Sequence, residues 1–212
     1  MDPILERYHA LEDKVAMYTP NLDTRRLFEA FTFADTAHHG QLRKSGEPYI
    51  IHPLAVAEIV ADLGLDVDSV IAALLHDCTK KLDMPDQLAL CRQYGIQLDE
   101  LEQKALKLLH AKTGAAIARD VYGVDDEIYR AIWWHTTGHP DMTLLEKIIY
   151  LADYIEPSRD FPGVDELRNC VYEDLDKGLL MGLQMTIDEM TEMGNPVHHA
   201  TIEARDWLKG KR

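Results

Sequence analysis

Basic residues are in short supply in this chain. Twenty-two lysines and arginines stand against 37 acidic residues, for a formal net charge of -15. A surface of this sign lacks the basic patches that phosphate backbones require, so no nucleic-acid partner is expected. An anionic membrane surface is disfavoured for the same reason. Cysteine is scarce as well. Cys78, Cys91 and Cys170 show no close pairing, which speaks against a disulfide framework or a zinc knuckle. A reducing cytoplasm is the expected setting. No apolar run approaches the length of a membrane span. The opening MDPILERYHALEDK is charged from its second residue and has no signal-peptide core. Strand signals are missing too: there is no convincing alternation of β-branched residues and no Asn-Gly or Asp-Gly hairpin. No internal repeat or low-complexity tract interrupts the chain.

What is present almost everywhere is helical periodicity. The 212 residues are enough for a sizeable core. One all-α domain is expected over 1–212, with a metal-binding core over 23–156 and a helical extension over 157–212. Asp23 caps a predicted helix through about His39. Gly40, Gly46 and Pro48 punctuate a loop, and Pro53 sits in the first turn of a helix to about Leu63. Asp66 or Asp68 starts the next, Ser69 to about Thr79. Further helices are predicted over Pro85–Tyr94, Asp99–Leu109, Thr113–Tyr122, Asp125–Thr136 and Thr143–Ile155. Val164–Met193 reads as one or two helices, and His199–Lys209 closes the chain.

Six residues that suit a borderline divalent metal recur along these segments: His52, the pair His76-Asp77, His110, His135 and Asp153. Taken alone, each has a plain structural reading. His135, on the face of Ile128, Ala131 and Ile132, could be a hydrogen-bonded core histidine. Asp153, beside Leu145, Ile149 and Ala152, could be a buried ion pair. His110, after a leucine-rich run, could be an ordinary interface residue. Taken together, four histidines and two aspartates facing inward are costly unless one purpose satisfies them all. Imidazole suits Fe, Mn, Zn, Ni and Co, and an aspartate can bridge two ions. The set therefore points to a hydrolase that activates water between metals. The other histidines, His9, His38, His39, His139, His198 and His199, lie near loops or chain ends and are expected to be solvated.

These residues resemble the HD-domain superfamily of metal-dependent phosphohydrolases. From about Ile71 to Arg168 the chain resembles the YqeK family, on HDCTK (His76–Lys80), LLHAKTGA (Leu108–Ala115) and WHTTGHPDMTLLEKIIYLADYIEPSRDFPGVDELR (Trp134–Arg168). The stretch FADTAHHGQLRKSGEPYIIHPLAVAEIVADLGLD (Phe33–Asp66) is instead similar to the hydrolase domain of RelA/SpoT-type enzymes. The chain reads as a composite, natural or engineered, joined near Val70–Asp77.

The YqeK resemblance implies symmetrical hydrolysis of diadenosine tetraphosphate to two ADP, at a site of the di-iron type. It implies two divalent ions, iron first and Mn, Co, Ni or Zn as alternatives, bridged by Asp77 with a hydroxide held between them. The YqeK ligand positions fall on His76, Asp77, His110, His135 and Asp153, and the RelA/SpoT-like stretch supplies His52 as first ligand; His52, His76 and Asp153 would hold one ion, and His110 and His135 the other. Lys80 and Arg159 would neutralise the phosphate chain, with Thr136 and His139 as further substrate contacts. The RelA/SpoT resemblance implies that Arg43, Lys44 and Ser45 border a guanine nucleotide, and it carries the alternative of a guanosine tetraphosphate 3'-pyrophosphohydrolase. Two departures bear on these implications. Lys80 and Lys81 stand where RelA/SpoT enzymes carry a Glu-Asp pair, and His139 stands where YqeK proteins usually carry an arginine. A third reading is a non-catalytic nucleotide-binding domain. The expected partner is a dinucleoside or guanosine polyphosphate, and the reading leaves room for a homodimer.

Overall fold

Aspartate begins most of the helices. The computed structural model describes residues 2–210, and among them every regular element is helical. Asp2 accepts from the Ile4 amide at the start of α1 (Pro3–Ala16), Asp23 from Arg26 at α2 (Thr24–Ala37), and Asp66 from Ser69 at α4 (Val67–Leu75). Asp83 caps α5 (Met84–Gln93), Asp125 caps α7 (Asp126–Trp134) and Asp174 caps α10 (Leu175–Glu192). Each carboxylate satisfies an orphan amide and faces the positive end of the helix dipole, so part of the acidic excess is spent on helix starts. Thr143 and Glu146 form a reciprocal capping box on α8 (Leu144–Ile155). The remaining helices are α3 (Ile51–Asp62), α6 (Leu106–Tyr122), α9 (Val164–Glu173) and α11 (His199–Gly210). No helix among the described residues is long and apolar enough to cross a membrane.

The main core runs from α1 to α8. α4 is buried on every side, from Ser69 to Leu75, and α3, α2 and α7 pack around it. Tyr8, Leu11 and Val15 of α1 are fully buried in this core. The sequence reading begins its helices at Asp23 and so leaves α1 out. A smaller apolar cluster, built on Leu151, Leu179, Leu183 and Ala204, seats α10 and α11 against α8.

Two element boundaries differ from expectation, and two open choices are resolved. Asp66, not Asp68, starts α4, and that helix stops at Leu75, so His76 and Asp77 lie in the turn just beyond it. The two helices expected over Asp99–Leu109 and Thr113–Tyr122 are a 3-10 turn at Glu102–Lys104 followed by one helix, α6, which carries His110 inside it. Nothing between Leu106 and Thr113 breaks a helix. The Val164–Met193 stretch is two helices, divided where Asp174 adopts an extended backbone with φ -154° and ψ 104°.

Candidate metal centre

The six candidate ligands come from five places in the fold and meet in the core. His52 is in the first turn of α3, His76 and Asp77 follow α4, His110 is in α6, His135 caps α7, and Asp153 is in the last turn of α8. His52, His76, His110 and His135 are each at most 3% exposed, and Asp77 is fully buried. The ligating atoms fall into two groups, His52–His76–Asp77–Asp153 and Asp77–His110–His135, each within 4.8 Å. Asp77 belongs to both, and its two oxygens face opposite ways. Oδ2 lies 3.2 Å from His52 Nε2, and Oδ1 lies 3.1 Å from His110 Nε2.

The donor chemistry fits metal ions. His76 Nδ1 donates to the Ala73 carbonyl at 2.6 Å, and His135 Nδ1 donates to the Ile132 carbonyl at 2.7 Å. Both carbonyls are among the unpaired groups at a helix end. With the proton fixed on Nδ1, each Nε2 turns a lone pair into the cluster. The Nε2 atoms crowd accordingly: 3.3 Å between His52 and His76, 3.1 Å between His110 and His135. Two lone pairs this close repel unless a cation or a proton lies with them. Asp77 Oδ1, fully buried, makes no aligned hydrogen bond. An unpaired carboxylate oxygen in the core is expensive, and a bound cation removes that cost.

Protonation follows from the same crowding. Burial lowers His110 to about 4, and burial also lowers His76. Burial alone would lower His52, but hydrogen bonds to Asp153, Asp77 and Glu156 overcome it and raise His52 to about 10. A proton and a metal ion therefore compete for His52 Nε2. Burial would raise Asp77 and Asp153, but Lys80 beside both, with His76 beside Asp77 and Arg159 beside Asp153, holds each well below the usual carboxylate range.

Two residues that the sequence reading missed hold the ligands in place. Tyr49 donates its hydroxyl to Asp77 Oδ2 at 2.9 Å. The buried carboxylate of Glu156 accepts from His52 Nδ1 at 3.2 Å. Only Glu156's place three residues after Asp153, facing the same helix end, hints at its role. The turn after α4 is pinned to α6 by Thr79 Oγ1, which donates to the His110 carbonyl at 3.0 Å, and to α5 by Gln87, which donates to the Thr79 carbonyl at 2.6 Å.

A cleft of about 480 Å³ opens over the cluster, with His110, His135 and Asp153 in its wall. Lys80, Lys81, Lys107, Arg159 and Thr136 line it, so cations gather there in an acidic chain. Lys80 Nζ lies 2.8 Å from Asp77 Oδ2, and Arg159 pairs with Asp153. A wider groove of about 670 Å³ between α2 and the end of α6 has no histidine in its walls.

Other expected contacts lie elsewhere. His139 is half-buried against Glu146, at 3.0 Å, and does not line the cleft. Arg43 does not line it either; its guanidinium bonds Glu156 at 2.8 Å. Lys44 is exposed, and Ser45 donates to Glu47. His38 and His198, expected in solvent, are buried, because α2 and the chain before α11 turn back onto the body. Asp99, His198 and His199 form a further cluster of ligating atoms. There, however, His198 Nδ1 accepts from the Ala200 amide, so Nε2 is the donor, aimed at Glu102 and Asp99. That arrangement staples α11 by hydrogen bonds.

The chain is similar to several known proteins. The symmetrical bis(5'-nucleosyl)-tetraphosphatase of Halalkalibacterium halodurans is 40% identical over 163 residues, covering 74% of this chain and 87% of that protein. The bifunctional (p)ppGpp synthase/hydrolase RelA of Mycobacterium tuberculosis is 47% identical over 76 residues, which is 36% of this chain and 10% of that one. A crystal structure from Clostridium acetobutylicum, described as a predicted HD superfamily hydrolase involved in NAD metabolism, superposes with a TM-score of 0.77 at 39% identity. It covers 87% of this chain, which in turn covers 98% of it. The HD domain family matches residues 49–158, a span that contains all six candidate ligands and more than half of the sequence; this chain belongs to the HD-domain family.

Proposed function

We propose that this chain is a metal-dependent nucleotide phosphohydrolase that cuts dinucleoside tetraphosphates symmetrically, with diadenosine tetraphosphate yielding two ADP. One observation carries the reading: two buried ligand groups share Asp77 beneath a cleft whose walls are cationic in a chain of net charge -15. The tetraphosphatase relative, 87% covered, gives the reaction class its support.

His52, His76 and Asp153 hold one ion, His110 and His135 the other, and Asp77 reaches both. Iron is the favoured metal because the chain resembles the YqeK family, whose site is of the di-iron type; the imidazole and carboxylate donors themselves suit Mn, Co, Ni or Zn as well. Such ions supply Lewis acidity toward phosphoryl oxygens and lower the pKa of water. The chain's own residues do the rest. Lys80 and Arg159 stand at the cleft on two of the ligand carboxylates, and so bring positive charge to where a polyphosphate's negative charge must be neutralised. Thr136, beside His135, offers the cleft a hydroxyl.

Guanosine tetraphosphate hydrolysis has less behind it. Lys80 and Lys81 occupy the cleft where an acidic pair would be needed, and Arg43 is spent on Glu156. A non-catalytic role fits poorly with six ligating residues all gathered and aligned. The test is turnover of a nucleotide panel, with ion content measured on the same sample. Diadenosine tetraphosphate is expected to lead the panel, at up to two ions per chain. Guanosine tetraphosphate consumed faster at equal loading would overturn the reading.

A further inference from the structure

The loop that resembles a guanine-binding element is built into the metal centre from behind. Arg43 and Glu156 are 113 positions apart, yet Arg43 Nη2 donates to Glu156 Oε1 at 2.8 Å, the same oxygen that faces His52 Nδ1 at 3.2 Å. The Glu156 side chain is 1% exposed and that of Arg43 is 13%. The carboxylate is held on its other side by Ser158, whose amide donates at 2.8 Å to Oε2 and whose hydroxyl donates at 2.6 Å to Oε1. Arg159 Nε is farther away, at 3.6 Å. The loop itself is tied down around Arg43. The Arg43 amide donates to the Glu47 carbonyl at 2.8 Å, and the Tyr49 amide donates to Gln41 at 2.9 Å.

We propose that Arg43 is a positioning residue for the ion held by His52, acting through Glu156, and not a reader of the nucleobase. A guanidinium that recognises a base must offer it a free face or a free donor edge. Arg43 offers neither to the cleft: Nη2 is turned onto a buried carboxylate, and Nη1, though without a hydrogen-bond partner, is itself buried away from the cleft. Burying Glu156 is costly without a paired cation, and Arg43 is the nearer of the two guanidiniums. Once neutralised and fixed, Glu156 accepts the His52 Nδ1 proton, sets the ring's direction and leaves Nε2 as the donor to the ion. The RelA/SpoT-like front and the YqeK-like body are thereby joined through one buried chain, Arg43–Glu156–His52. This inference rests on the two-ion reading above.

The test equilibrates the full-length protein and its variants in buffered free Mn²⁺ and counts ions per chain by elemental analysis. His52→Ala and His110→Ala serve as references lacking one ion each. Arg43→Ala and Glu156→Ala are each expected to weaken the His52-side ion by about 10- to 100-fold, the usual cost of losing a ligand's outer partner, and to spare the other. The double variant should be no weaker than Glu156→Ala, because Arg43 acts only through that carboxylate. Arg43→Lys keeps the charge without the fork and should fall between. It also serves as the test if Arg43→Ala proves unfolded by circular dichroism. Dissociation constants for GDP and ADP should keep their ratio in Arg43→Ala. Wild-type ion retention in the Arg43 variants, additive losses in the double variant, or a selective loss of GDP affinity would each overturn the proposal. A wild-type protein that binds no ion would instead refute the two-ion reading itself.

Discussion

His76 and His135 close α4 and α7 in the same way, with their rings 5.0 Å apart and nearly perpendicular at 89°. Each sits at the residue just after its helix and returns its Nδ1 proton to the carbonyl three positions back. A helix end always leaves carbonyls without partners, so this bond satisfies the backbone and fixes the imidazole tautomer in one step. Two such helix ends bring two Nε2 lone pairs to the same oxygen of Asp77. Asp77 Oδ1 is 3.5 Å from His135 Nε2 and 3.6 Å from His76 Nε2.

The sharing of Asp77 gives the first prediction. Asp77→Ala should lose both ions, His52→Ala one of them, and His110→Ala or His135→Ala the other. Elemental analysis of the purified variants checks this. Full occupancy in Asp77→Ala would contradict the shared role.

Lys80 touches a ligand carboxylate but is not itself a ligand, since an ammonium has no lone pair to give. Lys80→Ala should therefore keep its ions and lose turnover. Removing a charge-stabilising contact of this kind typically costs about 2.7–4 kcal/mol of barrier, or roughly a hundred- to thousand-fold in kcat. Steady-state kinetics beside ion analysis distinguishes the cases: a kcat near wild type would remove Lys80 from the phosphate contacts.

The six candidate ligands stood out in the sequence because a histidine or aspartate on an apolar helix face is conspicuous, and the fold does bring them together; periodicity alone turns His135 and Asp153 inward. The all-helical class followed from the same periodicity, and Asp23 announced its helix as a cap. Tyr49 and Glu156 were illegible because they lie in or beside loops, where no period says which way a side chain points. Arg43 is hard to place from sequence for a related reason. Its partner is 113 positions away, and only the closed fold shows that its charge is already taken. His38 and His198 were judged by their nearness to loops, but burial there depends on packing between elements distant in sequence. His110 was expected between two helices and lies within one, where Thr113 and Thr79 lock α6 to the turn that carries Asp77.

Glu146 gives a pH prediction away from the metal centre. Its side chain is fully buried. Burial would raise its pKa, but His139, Arg130 and the Thr143 amide outweigh burial and lower it from 4.5 to about 2. The folded value lies below the unfolded one, so the stabilisation is complete above about pH 4.5 and is lost as pH falls toward 2. The difference corresponds to at most about 3 kcal/mol. Glu146→Gln keeps the capping geometry and removes the charge. Urea melts should give the variant a flatter stability profile than wild type between these two pH values. Parallel profiles would contradict the assignment.

Gly178 marks a close crossing of α9 and α10. A Cβ at this position would meet Val171 Cγ2 at 2.6 Å and Val171 Cα at 2.8 Å. Alanine normally favours a helix over glycine, but here the backbone of α9 would have to move. Gly178→Ala should destabilise the protein by about 1–3 kcal/mol, as overpacking does. A thermal melt at or above the wild-type midpoint would show that the two helices are not so tightly apposed.

The central claim is the position of the cut, and the products of diadenosine tetraphosphate test it most directly. Phosphorus NMR or ion-exchange chromatography of a reaction run with metal-loaded protein resolves ADP, ATP and AMP. The account predicts two ADP per substrate from the first turnover onward, with no ATP or AMP at early times. Equal amounts of ATP and AMP, or an untouched substrate beside a protein carrying its full complement of ions, would contradict it.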